Sequence, residues 1–179
     1  MAGVQEWYLR RASGEDVEGL YALLCIPLVY RYLADGVAPP RSVIEQWIRR
    51  SHADGVARGM GLWVLENRDV YLAGGVCLST YSQPRSAELT YLLHPQVWGQ
   101  GLATRMSWTV MQQAFEAGHI DAIVAGADVP NAASVAVMQR LGMHFLRPVQ
   151  YPVWPGVEYI YRRDDPVPIP VPVALPLHQ

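Results

Sequence analysis

Residues 88–105 read ELTYLLHPQVWGQGLATR. The first six form an apolar run that reads as a strand, and the spacing from Leu102 onward is helical. Between strand and helix stand Gly99 and Gly101, with the small Ala103 close behind. Glycine is a costly choice there unless the backbone adopts φ > 0 or lets something approach it closely. A helix N-terminus presents unpaired N–H groups and partial positive charge, and bare glycines let an anion reach those amides. The simplest ligand is a phosphate or pyrophosphate, and the plain alternative is a tight turn with no ligand.

Working outward, EWYLRRAS reads as a strand, and SGEDVEGLYALL as a helix capped by Ser13 with acids in its first turn. Pro27 is expected to end or kink that helix. A second helix follows, VIEQWIRRSHADG, with Ser42 as its expected cap. GLWVLENRDVYLAGGVCLSTYS reads as two strands around Asn67–Asp69, with Gly74-Gly75 marking a bulge or a close backbone approach. The run RSAELTYLLHP is the third strand of this meander. In the helix from Gly101 to Ala117, Leu102, Met106, Val110 and Ala114 form a buried stripe, and Gly118 closes it. DAIVAGA is a short, fully apolar strand; Asn131 caps a compact helix that Gly142 ends; HFLRPV and GVEYIYRR are two closing strands. Hairpin strands giving way to a strand–helix–strand unit predict an α/β (α+β) domain with a mixed sheet. A single domain is expected over 1–165, with a tail at 166–179.

Composition narrows the function classes. With 51% hydrophobic and 17% charged residues, the 179-residue chain is not a disordered one. A net charge of −2 without a basic stripe gives no electrostatic footprint for nucleic acid. All 14 basic residues are arginine, so no lysine serves as nucleophile, Schiff base or P-loop cation. Cys25 and Cys77 lie far apart in apolar stretches and read as buried hydrophobes. The apolar run YALLCIPLVY is far shorter than the ~20 residues of a membrane span, and the start carries no apolar signal core. A cytoplasmic location is the expectation. A dinucleotide fingerprint would want glycine where Thr104 stands, and a loop following its strand directly rather than after His94–Val97.

ELTYLLHPQVWGQGLATR followed by ADVPNAASVAVMQRLGM resembles the Gcn5-related N-acetyltransferase (GNAT) superfamily, in its RimJ/RimL-type branch of ribosomal-protein N-terminal acetyltransferases. The superfamily motif, Gln/Arg-x-x-Gly-x-Gly/Ala, reads here Trp98-Gly99-Gln100-Gly101-Leu102-Ala103, with Trp98 at the usually polar first position. The second motif supplies Asn131, Ser134 and Leu141-Gly142-Met143, with Met143 replacing phenylalanine. The resemblance covers the chain to about Asp165 and implies a mostly antiparallel sheet splayed between its fourth and fifth strands, flanked by about four helices. It implies acetyl-CoA as co-substrate, with the pyrophosphate on the amides from Gly99 to Thr104. The pantetheine arm would pair with the strand edge at Leu92, Leu93 and His94. For Asn131, holding pantetheine and capping its helix stand side by side, and for Trp98, covering the cofactor and filling the core.

The implied reaction is direct attack of a primary amine on the thioester, from a protein or peptide α-amine or a small amine such as an amino sugar or polyamine. Glu88, the acid of the ELTYLL strand, is a candidate base through a water, against an outward solvated role; His94 is the next, against a turn role. Many relatives carry a tyrosine acid where Met138 stands, and the branch offers Ser134 instead. An α-amine of pKa ~8 is about one-tenth neutral at pH 7, a lysine side chain only about once in 2,500. A site without an evident strong base therefore tilts toward an acceptor of low pKa. Tyr30, Tyr32 and Asp35 are candidates for the acceptor pocket. A non-catalytic acyl-CoA sensor and a dinucleotide-binding protein remain the alternatives.

Pro166, Pro168, Pro170 and Pro172 alternate strictly. Polyproline II is one reading. In an extended strand every deleted N–H would lie on one edge, leaving Val167, Ile169, Val171 and Val173 to pair on the other and share a face. Such a segment could dock on its own sheet or on the partner subunit of a homodimer.

Overall fold

Leu62, Val64 and Leu92 are buried on one face of a single sheet, and Trp63, Leu65 and Leu93 on the other. Strands covered on both faces need little polar alternation, and the apolar runs of the sequence have that character. The computed structural model describes residues 6–33 and 36–178, with the side chains at 54, 56 and 57 aside. The strands are β1 (Tyr8–Arg11), β2 (Gly61–Glu66), β3 (Gly74–Thr80), β4 (Ser86–Leu93), β5 (Ala122–Asp128), β6 (His144–Gln150), β7 (Pro155–Arg162) and β8 (Leu177–His178). Their order across the sheet is β6-β7-β5-β4-β3-β2-β1-β8. Only β4 with β5 and β1 with β8 are parallel.

Helices α1 (Val17–Leu24) and α3 (Arg41–Arg58) cover one face, where Leu20, Leu24, Ile44 and Ile48 meet Leu62, Val64 and Cys77. Helix α4 (Leu102–Glu116) covers the other, and its buried Leu102, Met106, Val110 and Ala114 keep the expected four-residue step. Helix α5 (Ala132–Arg140) packs beside it. Pro27 does more than end α1. It stands at the first position of a short helix, α2 (Pro27–Tyr30), where a missing N–H costs nothing. Ser42 is not a cap: α3 starts one residue earlier, behind Pro40, with no side-chain cap. Cys77 is buried, but Cys25 is exposed just past the end of α1. No helix of the described residues is long and apolar enough to cross a membrane.

Asp16 anchors the α1 end of the sheet. It is fully buried, and both its oxygens accept from the Arg10 guanidinium at 2.8 Å. Ser13 N and the Tyr71 hydroxyl also donate to it, at 2.7 and 3.0 Å. Burial would raise this carboxyl. Arg10 and the Ser13 amide outweigh it and hold the group below the ordinary carboxylate range.

The tail is a strap. Val167, Ile169, Val171 and Val173 face solvent, and Pro168 packs at Gly142. Arg105 Nε donates to Val173 O at 3.1 Å, and Leu175 N to Thr109 Oγ1 at 2.8 Å. Leu175 itself is buried in the main core. Leu9 N then donates to Pro176 O at 2.9 Å, β8 pairs with β1, and His178 stacks on Tyr8. The alternating prolines 166–172 are outside any strand; only Leu177–His178 joins the sheet.

Candidate active site

β4 and β5 pair only over Ser86–Glu88 and Ala122–Val124. Beyond that point β4 stays on β3 as far as Leu93, and β5 stays on β7 as far as Asp128. The two strands therefore part like a V, and β4 shows an unpaired edge from Leu89 onward. A cleft of about 950 Å³ fills the gap, lined by β4, the glycine turn, the end of β5, the start of α5, and residues near α2.

The turn is built to keep its amides bare. His94 Nδ1 accepts from Gln96 N at 3.3 Å, and Pro95–Val97 makes one 3₁₀ turn. The Trp98 indole donates to Leu93 O at 2.8 Å, which ties down a ring that is 48% exposed. Gly99 and Gly101 have φ of 76° and 72°, and a β-carbon on either would meet nothing within 4 Å. Gly101 precedes α4 with no side-chain cap. The helical ladder starts with Arg105 N to Gly101 O, so the amides of Leu102, Ala103 and Thr104 have no intrahelical acceptor. Thr104 lines the cleft, and its Oγ1 is buried without a hydrogen-bond partner among the described residues. Arg140 of α5 brings a cation to the same cleft. Free amides, open space above two left-handed glycines, an orphaned hydroxyl and a guanidinium fit a diphosphate ligand.

Asn131 Oδ1 accepts from Ser134 N at 3.2 Å, so it caps α5 while lining the cleft. Across the gap, the Tyr91 hydroxyl of β4 lies 2.6 Å from Ser134 Oγ and 3.0 Å from Ser134 O. Burial pushes the Tyr91 phenol up to about 12, against a smaller opposing effect of the Ser134 hydrogen bond. Met138 is fully buried in the core.

Glu88 stands at the vertex of the V, the last β4 residue paired on both sides. No hydrogen bond holds its carboxylate among the described residues. Desolvation raises its pKa, and so does the negative charge of Glu158. Glu158 accepts from Arg147 Nε at 2.8 Å and from the Tyr81 hydroxyl at 3.1 Å. Tyr151 completes the group. Its pKa is pushed up to about 12, first by burial and then by Glu158, Glu88 and Asp128. Glu88, Asp128 and Tyr151 give the cleft lining an acidic, aromatic character, to which Tyr32 and Trp154 add two more rings.

Of the residues singled out from sequence, Glu88, Leu92, Leu93, Trp98, Gly99, Gly101, Leu102, Ala103, Thr104, Asn131, Ser134 and Tyr32 line this one cleft. His94, Gln100 and Tyr30 are outside its lining, and Asp35 lies outside the described residues. Sequence reasoning missed Tyr91, Tyr151 and Glu158. Tyr91 had a signal, a hydroxyl inside an otherwise apolar strand; the other two are brought in by β6–β7 pairing.

The model of the acetyltransferase (GNAT) domain matches residues 7–144. The chain belongs to the GNAT acetyltransferase family. YkkB of Bacillus subtilis (strain 168) is 25% identical over 161 residues, covering 88% of this chain and 91% of YkkB. The GNAT fold is shared with RimL, the ribosomal L7/L12 α-N-protein acetyltransferase solved in complex with coenzyme A. The TM-score is 0.76 at 18% identity, over 90% of this chain and 96% of that one. Spermidine N-acetyltransferase from Vibrio cholerae, solved with CoA and spermine, superposes with a TM-score of 0.72 at 16% identity, over 88% and 96% of the two chains. In this GNAT chain, as in its sequence reading, the open V separates the fourth and fifth strands.

Proposed function

We propose that this GNAT chain is an acetyl-CoA-dependent N-acetyltransferase of the RimJ/RimL-type branch, acting on a primary amine by direct transfer. One observation carries the reading: uncapped α4 amides behind Gly99 and Gly101, at the mouth of the gap between β4 and β5. When bound, acetyl-CoA supplies an activated carbonyl and a sulfur leaving group. The amides from Gly99 to Thr104 hold its diphosphate, and the end of the β4 edge at Leu92 to His94 offers backbone groups to the pantetheine arm. Leu93 O already accepts from the Trp98 indole but keeps a second lone pair, so the expected edge at Leu92 to His94 remains the proposed place for that pairing. Holding both reactants in one cleft contributes much of the rate.

Glu88 is the base in this reading. Its raised pKa brings it nearer the working pH, where a base is effective, and it reaches the amine through a water. Ser134 faces the sulfur. The carboxylates of Glu88 and Asp128 on the cleft lining favour an acceptor that arrives as a cation, a description that suits an α-amine or a polyamine.

Thermal shift with CoA against NAD tests the cofactor: CoA should stabilise the fold and NAD should not. A panel of peptide α-amines, amino sugars and polyamines, read by release of free thiol, tests the acceptor. Ser134→Ala should lower kcat more than it raises the acetyl-CoA KM. Failure of CoA to bind at millimolar concentration overturns the reading.

A further inference from the structure

The Tyr91 hydroxyl carries one hydrogen and faces two acceptors on the same residue, Ser134 O at 3.0 Å and Ser134 Oγ at 2.6 Å. Two arrangements follow. If the phenol donates to the carbonyl, the serine hydrogen must fill the 2.6 Å contact and points at Tyr91. If the phenol donates to Oγ, the serine hydrogen is free to turn into the cleft, which both residues line. Met138 on α5, fully buried in the core, has no proton to give. A phenol nevertheless reaches the first turn of α5, from the opposite wall.

We propose that Tyr91 is a positioning residue acting through Ser134: it fixes the serine hydrogen toward the cleft and stands behind it as the proton source for a sulfur leaving group. The inference rests on the cleft being a CoA site. The proton balance closes. As the C–N bond forms and the C–S bond breaks, the electron pair goes to sulfur, Ser134 gives its proton to that sulfur, and Tyr91 gives its own to Ser134 Oγ. The amine's proton leaves by way of Glu88, and Tyr91 regains one from solvent. Serine alone would be left as an alkoxide. A phenol, even one pushed up to about 12, parts with a proton far more readily. Because Tyr91 resists ionising in the resting cleft, transfer is concerted with sulfur departure rather than preceded by a standing phenolate.

The test needs no acceptor. Hydrogen bonding to a thiolate lowers its pKa, so the thiol of bound CoA reports the pair directly. The thiolate absorbance of CoA bound to the full chain is followed as pH rises, with affinity measured separately by calorimetry. Tyr91→Phe should leave CoA affinity nearly unchanged and raise the bound thiol's pKa by about one, a roughly tenfold loss of acidity. Ser134→Ala should raise it at least as much, and the double variant no further than Ser134→Ala alone. Equal thiol pKa values in Tyr91→Phe and the original chain, or additive effects, overturn the proposal while leaving CoA binding intact. Loss of CoA binding by the unaltered chain overturns the cofactor reading as well. Should Tyr91→Phe fail to fold, 3-fluorotyrosine at position 91 keeps ring and hydroxyl with a more acidic phenol. It should lower the thiol pKa, and do so only while Ser134 is present; no change overturns the proposal.

Discussion

Tyr151 lies across Gly126 and Gly156, its hydroxyl over the first and its ring edge over the second. These two glycines sit on the neighbouring strands β5 and β7, and a β-carbon on either would overlap the ring. The floor of the acidic pocket is therefore shaped by missing side chains. Gly126→Ala should push Tyr151 aside and reduce turnover with the best amine of the panel. Its CoA affinity, measured by calorimetry, should be unchanged, because the glycine turn is on another part of the cleft.

Gly101 and Gly118 allow a matched comparison. Both have left-handed φ, 72° and 78°, and open space where a β-carbon would go. Alanine at either should cost about 1–2 kcal/mol of stability for the backbone conformation alone. Only Gly101→Ala puts a methyl where the diphosphate is expected. It should weaken CoA about tenfold or more, ~1.4 kcal/mol, while Gly118→Ala leaves the dissociation constant unchanged.

Glu88 should trade stability for chemistry. Its folded-state pKa lies above the unfolded value, so the native state keeps the proton to a higher pH than the unfolded chain does. Native stability then falls as pH rises through that window, and removing the charge relieves the loss. Glu88→Gln should raise Tm at neutral pH and abolish the acidic limb of the pH–rate profile. A profile that keeps its limb removes Glu88 from the reaction.

Asp16 has the opposite sign. Its pKa is depressed in the fold, so its contribution is complete above the unfolded pKa and is lost as pH falls through the folded one. Asp16→Asn removes one of the two carboxylates on the half-buried Arg10 guanidinium, leaving Glu66 at 3.0 Å, and should cost about 1–3 kcal/mol by denaturant unfolding. The variant should also lose less stability than the original chain on acidification.

Leu175 is the one deeply buried residue of the strap among the described residues. Leu175→Ala should cost about 2–3 kcal/mol. Truncation after Asp165 should cost at least as much, and because Arg105 of α4 loses its bond to Val173 O, it should weaken CoA slightly. A shortened chain with unchanged Tm would mean that the strap adds nothing.

Much of this fold is written locally. Leu102, Met106, Val110 and Ala114 announce α4 by spacing alone, Gly74 marks the close approach to Leu92 O, and Asn131 caps the helix it precedes. Pro27 was ambiguous because proline both ends one helix and opens another. The V between β4 and β5 enters the sequence reading through the family resemblance, since where pairing stops is a matter of tertiary contacts. Tyr91 against Ser134, and Tyr151 against Gly126, join residues on separate elements, and no local pattern announces such meetings. His94 shows the reverse case: its place before proline pointed equally to a turn, and its ring is engaged with Gln96 N of that turn.

The two margins of the sheet are both blunted. At one, β8 lies over β1, two residues long and preceded by Pro176, which has no hydrogen to offer. At the other, β6 carries Pro148, again without a hydrogen to offer, and a register irregularity between Phe145 and Arg147. Both margins therefore lack a full row of backbone donors, which leaves little template for strand-by-strand growth.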